Sequence, residues 1–356
     1  MATTESPAAA TSVLFVGVGG IGCELAAQCT ASRSARRLLD FDAAALDAYD
    51  PAETIGLAGA AASTDDMDPD DMRAAAEAAA DQVAATVGGG TELALLLGAV
   101  GGQTGAVVLP ILANDLKSAR STVLVVALEP LPFEGAARAE LAAQAMAELE
   151  NVADLIISVP NRPLAELCDA SLPVGEAIRE LRARTLQAVD QLVGALTCGS
   201  SVGFQPSELR RSLAEAGRGA LGVGVGTEGA RVEAAIRDAC ANSFLTQESC
   251  QQASAAILHL RGGTDVSLQE VRSATDLVAQ LVGRVPIQVG LSTDADDAET
   301  VRATLLVTGI RPPIAAMLCE GASVGVAQDQ GLSFYDGVDL DVPAYLRRRP
   351  SPRLRH

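Results

Sequence analysis

The chain alternates short apolar runs with stretches whose apolar residues recur every three or four positions. The runs at 13–18 (VLFVGV), 93–98, 122–128 and 153–159 carry almost no charge. Strands covered on both faces of a sheet read this way. A further run at 37–42 ends in acids. Helical spacing follows residue 18 and returns at 69–86, where Pro69 and two acids open the first turn, and at 106–119 and 136–150. Strand and helix in alternation predict a parallel α/β sheet. One long helical pattern, 174–197, joins the halves. Beyond it the pattern predicts helix 206–216, strand 220–225, helix 228–242, strand 254–260, helix 267–282 and strands 285–291 and 301–308. The last two flank STDADDAET, an acidic turn that suggests a hairpin. Residues 1–12 read as a disordered leader, 311–334 lose periodicity, and 335–356 turn from acidic to strongly basic, as a tail.

The uncharged stretch 93–113 is long enough to cross a bilayer. Its centre holds Gly98, Gly101, Gly102, Gln103, Thr104 and Gly105, so a strand, a glycine loop and a helix explain it better.

Composition narrows the functional classes. A chain of 356 residues suggests two domains. Aromatics are 3%, so the core must be built from Ala, Leu and Val. A net charge of −19 repels phosphate backbones and argues against nucleic acid as a partner. The two histidines, His259 and His356, nearly exclude His-based triads and His-rich metal sites, and no metal site is expected. Seven scattered cysteines without C-x-x-C pairs, behind a start that lacks a basic and an apolar signal region, read as reduced cytoplasmic thiols.

The chemistry lies in the glycines. Gly17, Gly19 and Gly22 form G-x-G-x-x-G between a strand and a helix, where backbone can approach phosphate at a helix N-terminus. Asp40 and Asp42 follow about twenty residues on, where a ribose-binding acid belongs. Alone this fits an NAD-binding or adenylating Rossmann enzyme, or a tight turn that holds no ligand. An adenylating enzyme should also offer basic phosphate contacts and zinc-binding C-x-x-C pairs, which are missing. A second loop, Gly101-Gly102-Gln103-Thr104-Gly105, and the Gly56–Ala60 segment between the two suit a triphosphate surrounded by several loops of backbone N–H.

Taken in order, these segments resemble the FtsZ/tubulin superfamily, and its FtsZ branch in particular. Gly17-Val18-Gly19-Gly20-Ile21-Gly22 looks like the first nucleotide loop, and Asp42-Ala43-Ala44-Ala45-Leu46 resembles N-T-D-A-Q-A-L. Gly56-Leu57-Ala58-Gly59-Ala60 is similar to the loop facing the γ-phosphate, and residues 98–110 to the tubulin signature. Phe133-Glu134-Gly135 with Arg138 matches F-E-G-x-x-R. Val159-Pro160-Asn161 resembles I-P-N-D-R-L, and 285–310 the closing strand pair. The resemblance implies a tubulin/FtsZ-type α/β fold. It comprises a Rossmann-like GTP-binding domain (13–173), a core helix (174–198) and a smaller α+β C-terminal domain (199–310). A linker (311–334) and an adaptor-binding basic tail (335–356) would follow. It implies GTP or GDP as ligand, with Mg2+ allowed beside it, and head-to-tail filaments. In such filaments an acidic loop enters the next subunit's site and its carboxylates position water.

The nucleotide-site residues implied are Gly19, Gly20, Ile21, Gly22, Asp42, Gly56, Ala58, Gly59, Gly101, Gly102, Gln103, Thr104, Gly105, Glu134, Arg138 and Asn161. Glu134 would meet the ribose and Arg138 a phosphate, although a surface i,i+4 ion pair is the plain alternative. On the core helix, Arg179 and Glu180 match the pair that reads guanine; both also suit a solvated helix face.

Departures from the family pattern bear on hydrolysis. Gln103 replaces a glycine of the signature, and Ala106 and Val107 replace a threonine and a glycine. Gln205 stands for the first carboxylate of the catalytic loop and cannot act as a base; Glu208 stands for the second. Pro206-Ser207-Glu208 also reads as a plain helix start. GTPase activity is therefore expected to be slow or absent, with Glu208 as the remaining carboxylate if active. Asp341, Val342, Pro343, Tyr345, Leu346 and Arg347 resemble the family's C-terminal peptide, which implies docking to a membrane tether or division adaptor. A cytoplasmic scaffold in cell division, alone or with an authentic FtsZ, is the function the resemblance implies.

Overall fold

A computed structural model describes residues 13–29, 34–57, 67, 69–87, 91–159, 173–197, 203, 206–227, 229–241, 244–294, 299–310, 334–335 and 338–339. One compact unit runs to Arg311 and a second spans Pro312–His356. In the second, Phe334–Tyr335 pairs antiparallel with Val338–Asp339.

The first unit is organised on a ten-stranded sheet. Its parallel part contains β1 (Val13–Val18), β2 (Ser34–Asp40), β3 (Thr54–Gly56), β4 (Leu93–Ala99), β5 (Thr122–Leu128) and β6 (Leu155–Val159), in the order β3-β2-β1-β4-β5-β6. Alternate residues serve opposite faces, as the pleat requires. Val13 and Phe15 of β1, Leu93, Leu95 and Leu97 of β4, and Leu124 and Val126 of β5 pack toward α1 (Gly19–Gln28) and α6 (Val174–Thr197). Leu14 and Val16, Ala94 and Leu96, and Val123 and Val125 pack toward α3 (Pro69–Val87), α4 (Gln103–Ser118) and α5 (Ala136–Val152). Helices on both faces explain why these strands are apolar throughout. A short helix, α2 (Ala43–Leu46), follows β2.

The uncharged stretch 93–113 divides between β4 and α4, as the glycines predict. No helix among the described residues is long and apolar enough to cross a membrane.

Helix α6 has 24 residues, about 36 Å of axis, and runs beside both halves of the sheet. Its buried stripe includes Leu181, Thr185, Ala188, Val189, Leu192, Val193 and Leu196. The same core contains Leu221, Val223, Ile257 and Leu306 from the second half.

That half holds α7 (Pro206–Leu213), β7 (Gly217–Thr227), α8 (Arg231–Ala241), α9 (Gln247–Gln252), β8 (Ala255–Gly262), α10 (Leu268–Val282), β9 (Ile287–Thr293) and β10 (Thr300–Ile310). Strand β7 joins the parallel part through Leu155↔Gly217, Ile156↔Arg218 and Ile157↔Gly219, and the order continues β7-β10-β8-β9. Glycines at alternate positions of β7 let α8 lie directly on it. A Cβ at Gly224 would stand 2.1 Å from the Ala235 carbonyl oxygen, and one at Gly226 1.8 Å from that of Arg231.

The expected hairpin of the last two strands is not formed. β9 pairs parallel with β8, and β10 lies on the other side of β8, antiparallel to both β7 and β8. Burial decides this order. Residues 301–308 of β10 are almost wholly buried and need a neighbour on each edge, whereas β9 is half-exposed and suits the sheet's rim.

Candidate functional site

Two strand-to-helix turns build a cleft of about 520 Å³ at the carboxyl ends of β1, β4 and β5. Open parallel sheets bind ligands at this edge. Helix α1 starts at Gly19 directly after β1, which needs the left-handed backbone found there, φ +72°. Helix α4 starts at Gln103 behind Gly102. Neither N-terminus has a side-chain cap or an acid in its first turn. Each helix start leaves N–H groups unsatisfied by its own ladder, at the positive end of the helix dipole. Both starts line one cleft, an arrangement suited to an anion.

The glycines divide by task. A Cβ at Gly22 would lie 2.2 Å from the Leu97 carbonyl oxygen, and one at Gly105 2.1 Å from that of Ala99. These residues let a helix close on a strand. Beside Gly20 nothing lies within 4 Å, and beside Gly102 only one carbonyl oxygen at 3.9 Å. These two keep the cleft open. Gly19, Gly20, Ile21, Gly101, Gly102, Gln103, Thr104 and Gly105 all line it, and Gly22 is buried behind it. Ala106 and Val107, two of the family departures, point into the α4 core and are not part of the lining. Only Gln103 among the three adds a side chain where the ligand would sit.

A 3-10 turn at Pro132–Glu134 brings Glu134 and Arg138 to the wall. The backbone N–H of Leu131 donates to Glu134 Oε1 at 2.9 Å, and Arg138 Nη1 donates to Glu134 Oε2 at 2.5 Å. The two residues form the i,i+4 ion pair and also line the cleft. Glu129 lines it as well, with its carboxylate accepting from Ser158 Oγ.

On α6 the lining residues are Ile178, Leu181 and Arg182. Arg179 and Glu180 are turned elsewhere. Arg179 Nε donates to the Gly175 carbonyl and its guanidinium pairs with Glu176, while Glu180 accepts from Arg184 Nε at 2.8 Å. The gapless family match thus selects the exposed side of the helix, and the cleft side is one residue away from each. The signal was present: 178, 181 and 182 adjoin the apolar stripe of α6, which 179 and 180 do not. Arg182 Nη1 donates to Glu24 Oε2 of α1 at 2.7 Å, tying the two helices across the cleft's end.

Other expected residues fall outside the cleft. Asp42 caps α2, its Oδ1 accepting from Ala44 N at 3.0 Å and Ala45 N at 3.3 Å. Asp40 is buried, accepts from the Asp42 N–H, and burial raises its carboxyl above the usual range. Neither lines the cleft. Gly56 ends β3 and is exposed. Glu208 is exposed in the first turn of α7, away from the cleft lining. Just before it, Gly203 (φ +111°) packs against Val289 and Gly290 of β9. Ala58, Gly59, Asn161, Gln205 and Asp341 to Arg347 lie outside the described residues.

A larger cleft of about 680 Å³ separates α6 from β8, β9 and β10. Side chains line it. His259 Nε2 and Ser292 Oγ are 2.9 Å apart, Arg261 Nη2 donates to Asp294 Oδ2 at 2.8 Å, and Thr304 Oγ1 reaches Gln191 Oε1 at 3.4 Å. Burial pushes the His259 imidazole down to about 4, and the charge of Arg261 adds to this.

The comparisons agree with this architecture. Residues 217–311, from β7 to the end of β10, match the model of the FtsZ family C-terminal domain. The cell division protein FtsZ of Coxiella burnetii is 26% identical over 291 residues, covering 80% of this chain and 74% of that protein. Among solved structures, a mutant of FtsZ from M. jannaschii superposes with TM-score 0.73 at 20% identity, over 85% of this chain and 92% of the other. CetZ2 from Haloferax volcanii, in a GTPγS-bound protofilament, gives TM-score 0.69 at 20% identity, over 87% and 97%. With a glycine-built cleft at the carboxyl edge, a helix shared by both halves and a C-terminal half that matches the FtsZ family domain, the chain has the FtsZ/tubulin fold.

Proposed function

We propose that the chain is a cytoskeletal scaffold that binds GTP or GDP in the glycine-built cleft and assembles head to tail, with slow or absent hydrolysis. The observation that carries the reading is the convergence of two uncapped helix starts on one cleft, beside Glu134 and Arg138. The nucleotide and the protofilament named for the Haloferax volcanii relative support ligand and assembly. Helix α6 serves as the core helix between a nucleotide domain (13–173) and a C-terminal domain (199–310). Gln205 lacks the acid–base chemistry of a carboxylate, which leaves Glu208 as the group on the catalytic loop that can orient water. Magnesium on a triphosphate keeps water and phosphate oxygens as most of its ligands, so the chain need not supply a cage. The tail 335–356 would recruit cytoplasmic filaments to a membrane tether or division adaptor, beside an authentic FtsZ.

Pelleting and negative-stain microscopy without nucleotide, with GDP, with GTP and with a non-hydrolysable analogue, alongside phosphate release, test this. Filaments with GTP and little phosphate release are expected. No filament in any condition, or release of NAD instead of a guanine nucleotide on denaturation, would overturn it.

A further inference from the structure

Resting on the nucleotide reading, we infer that Arg182 is the residue that selects guanine, by donating to its O6 and N7 edge, and that Glu24 holds its guanidinium in place. Arg182 lines the cleft. Glu24 lies five residues past Gly19, the first residue of α1, about 7.5 Å along the axis from the helix start. The ion pair therefore marks the cleft beyond the phosphate-sized opening at Gly19, Gly20 and Gly102, where a base would lie.

The guanidinium has donors to spare. One hydrogen bond, Nη1 to Glu24 Oε2 at 2.7 Å, fixes it, and its side chain is about one-third exposed. Its Nε is buried and has no hydrogen-bond partner among the described residues, so the donors that can reach a ligand are the Nη hydrogens not given to Glu24. The other guanidinium of the cleft, Arg138, is bonded to Glu134, and the Glu129 carboxylate to Ser158.

Arginine carries donors only. Guanine offers two adjacent acceptors, O6 and N7, that match the fork; adenine offers N7 beside an N6 amino donor that would face it. The pair thus discriminates by charge-assisted bonding to guanine and by donor–donor conflict with adenine. It stands in for Arg179 and Glu180, which are occupied by ion pairs along their own helix.

The test is competition of GDP, 7-deaza-GDP and ADP against a fluorescent GDP analogue, on wild-type protein, Arg182→Met and Arg182→Lys. The wild type should bind GDP about tenfold or more tighter than 7-deaza-GDP, which lacks only N7, and tighter still than ADP. The methionine variant should bind GDP and 7-deaza-GDP alike, while the lysine variant, whose ammonium still donates to N7, should keep a reduced preference. The lysine variant keeps the charge and so keeps the fold if the methionine variant loses it. Glu24→Gln should lower the GDP preference by less, since its amide oxygen still accepts. Equal weakening of all three ligands in both variants would mean a phosphate or structural role and overturn the inference, as would unchanged discrimination; either leaves the nucleotide reading standing. Wild-type protein that binds none of the three would overturn both.

Discussion

On one side of α6, Ile178, Leu181 and Arg182 face a cleft floored by backbone; on the other, Leu186, Gln187, Asp190 and Gln191 face one floored by side chains. The first is made of helix starts and missing Cβ atoms. The second is made of His259, Ser292, Arg261, Asp294 and Thr304, bonded within the protein. An anion needs N–H groups left unmet by the fold, and only the first cleft supplies them by construction. The second is the larger by volume, about 680 against 520 Å³, yet several of its polar groups already have protein partners. Size alone is thus a poor guide to a site. The supply of unmet hydrogen-bonding capacity separates the two.

The largest effect that would sharpen this contrast comes from Gly105→Ala. In an unconstrained helix that change stabilises by about 1 kcal/mol. Here the new Cβ would meet the Ala99 carbonyl oxygen at 2.1 Å, so a loss of about 3 kcal/mol is expected in chemical denaturation. A gain would show that this glycine serves the ligand and not the helix–strand contact.

The second cleft should respond to acid next. His259 is neutral when folded, with its pKa lowered from 6.5 to about 4 by burial. The unfolded chain therefore binds more protons between these values. The contribution is fully present above about pH 6.5 and is lost as pH falls toward 4, by about 2 to 3 kcal/mol. His259→Asn should remove that part of the pH dependence of stability. Identical slopes in wild type and variant would show that the imidazole titrates freely.

Gly20→Leu should be smaller in energy and confined to binding. Nothing stands within 4 Å of its Cβ direction, so stability should change by less than about 0.5 kcal/mol. Nucleotide affinity should fall about tenfold, about 1.4 kcal/mol, by titration calorimetry. An equal loss of stability would erase the distinction between glycines that pack and glycines that open the cleft. The smallest effect is expected from Gln103→Gly, which removes the exposed side chain at the start of α4. A few-fold gain in nucleotide affinity is expected, and no gain would show that Gln103 already turns away from the ligand.

Much of the fold was legible because it is local. Apolar runs marked β1, β4 and β5, the first two followed by glycines, and helical spacing marked α3, α5 and α6. The glycine loops at 19–22 and 101–105 and the Glu134–Arg138 spacing led to one cleft, and Gly56 did not. Errors arose where the answer depends on a partner distant in sequence or on which way a single residue faces. The acidic link 294–299 reads as a hairpin turn, but β8 inserts between β9 and β10. Asp42 reads as a ligand residue, but the nearest unmet N–H groups are those of α2. Arg179 and Glu180 match a motif by position, but a helix turns 100° per residue, and a match off by one faces another way.

The sequence by itself determined which segments become strands and helices, that glycines crowd two strand-to-helix turns, and that the core is aliphatic. Each follows from periodicity and backbone sterics within a few residues. Tertiary structure alone decided which glycines open a cavity and which are filled by a neighbouring strand, that β10 lies between β7 and β8, and that Glu24 and Arg182, 158 residues apart, meet at the cleft. Those are contacts between surfaces brought together by burial, and no local pattern in the chain encodes the distance between them.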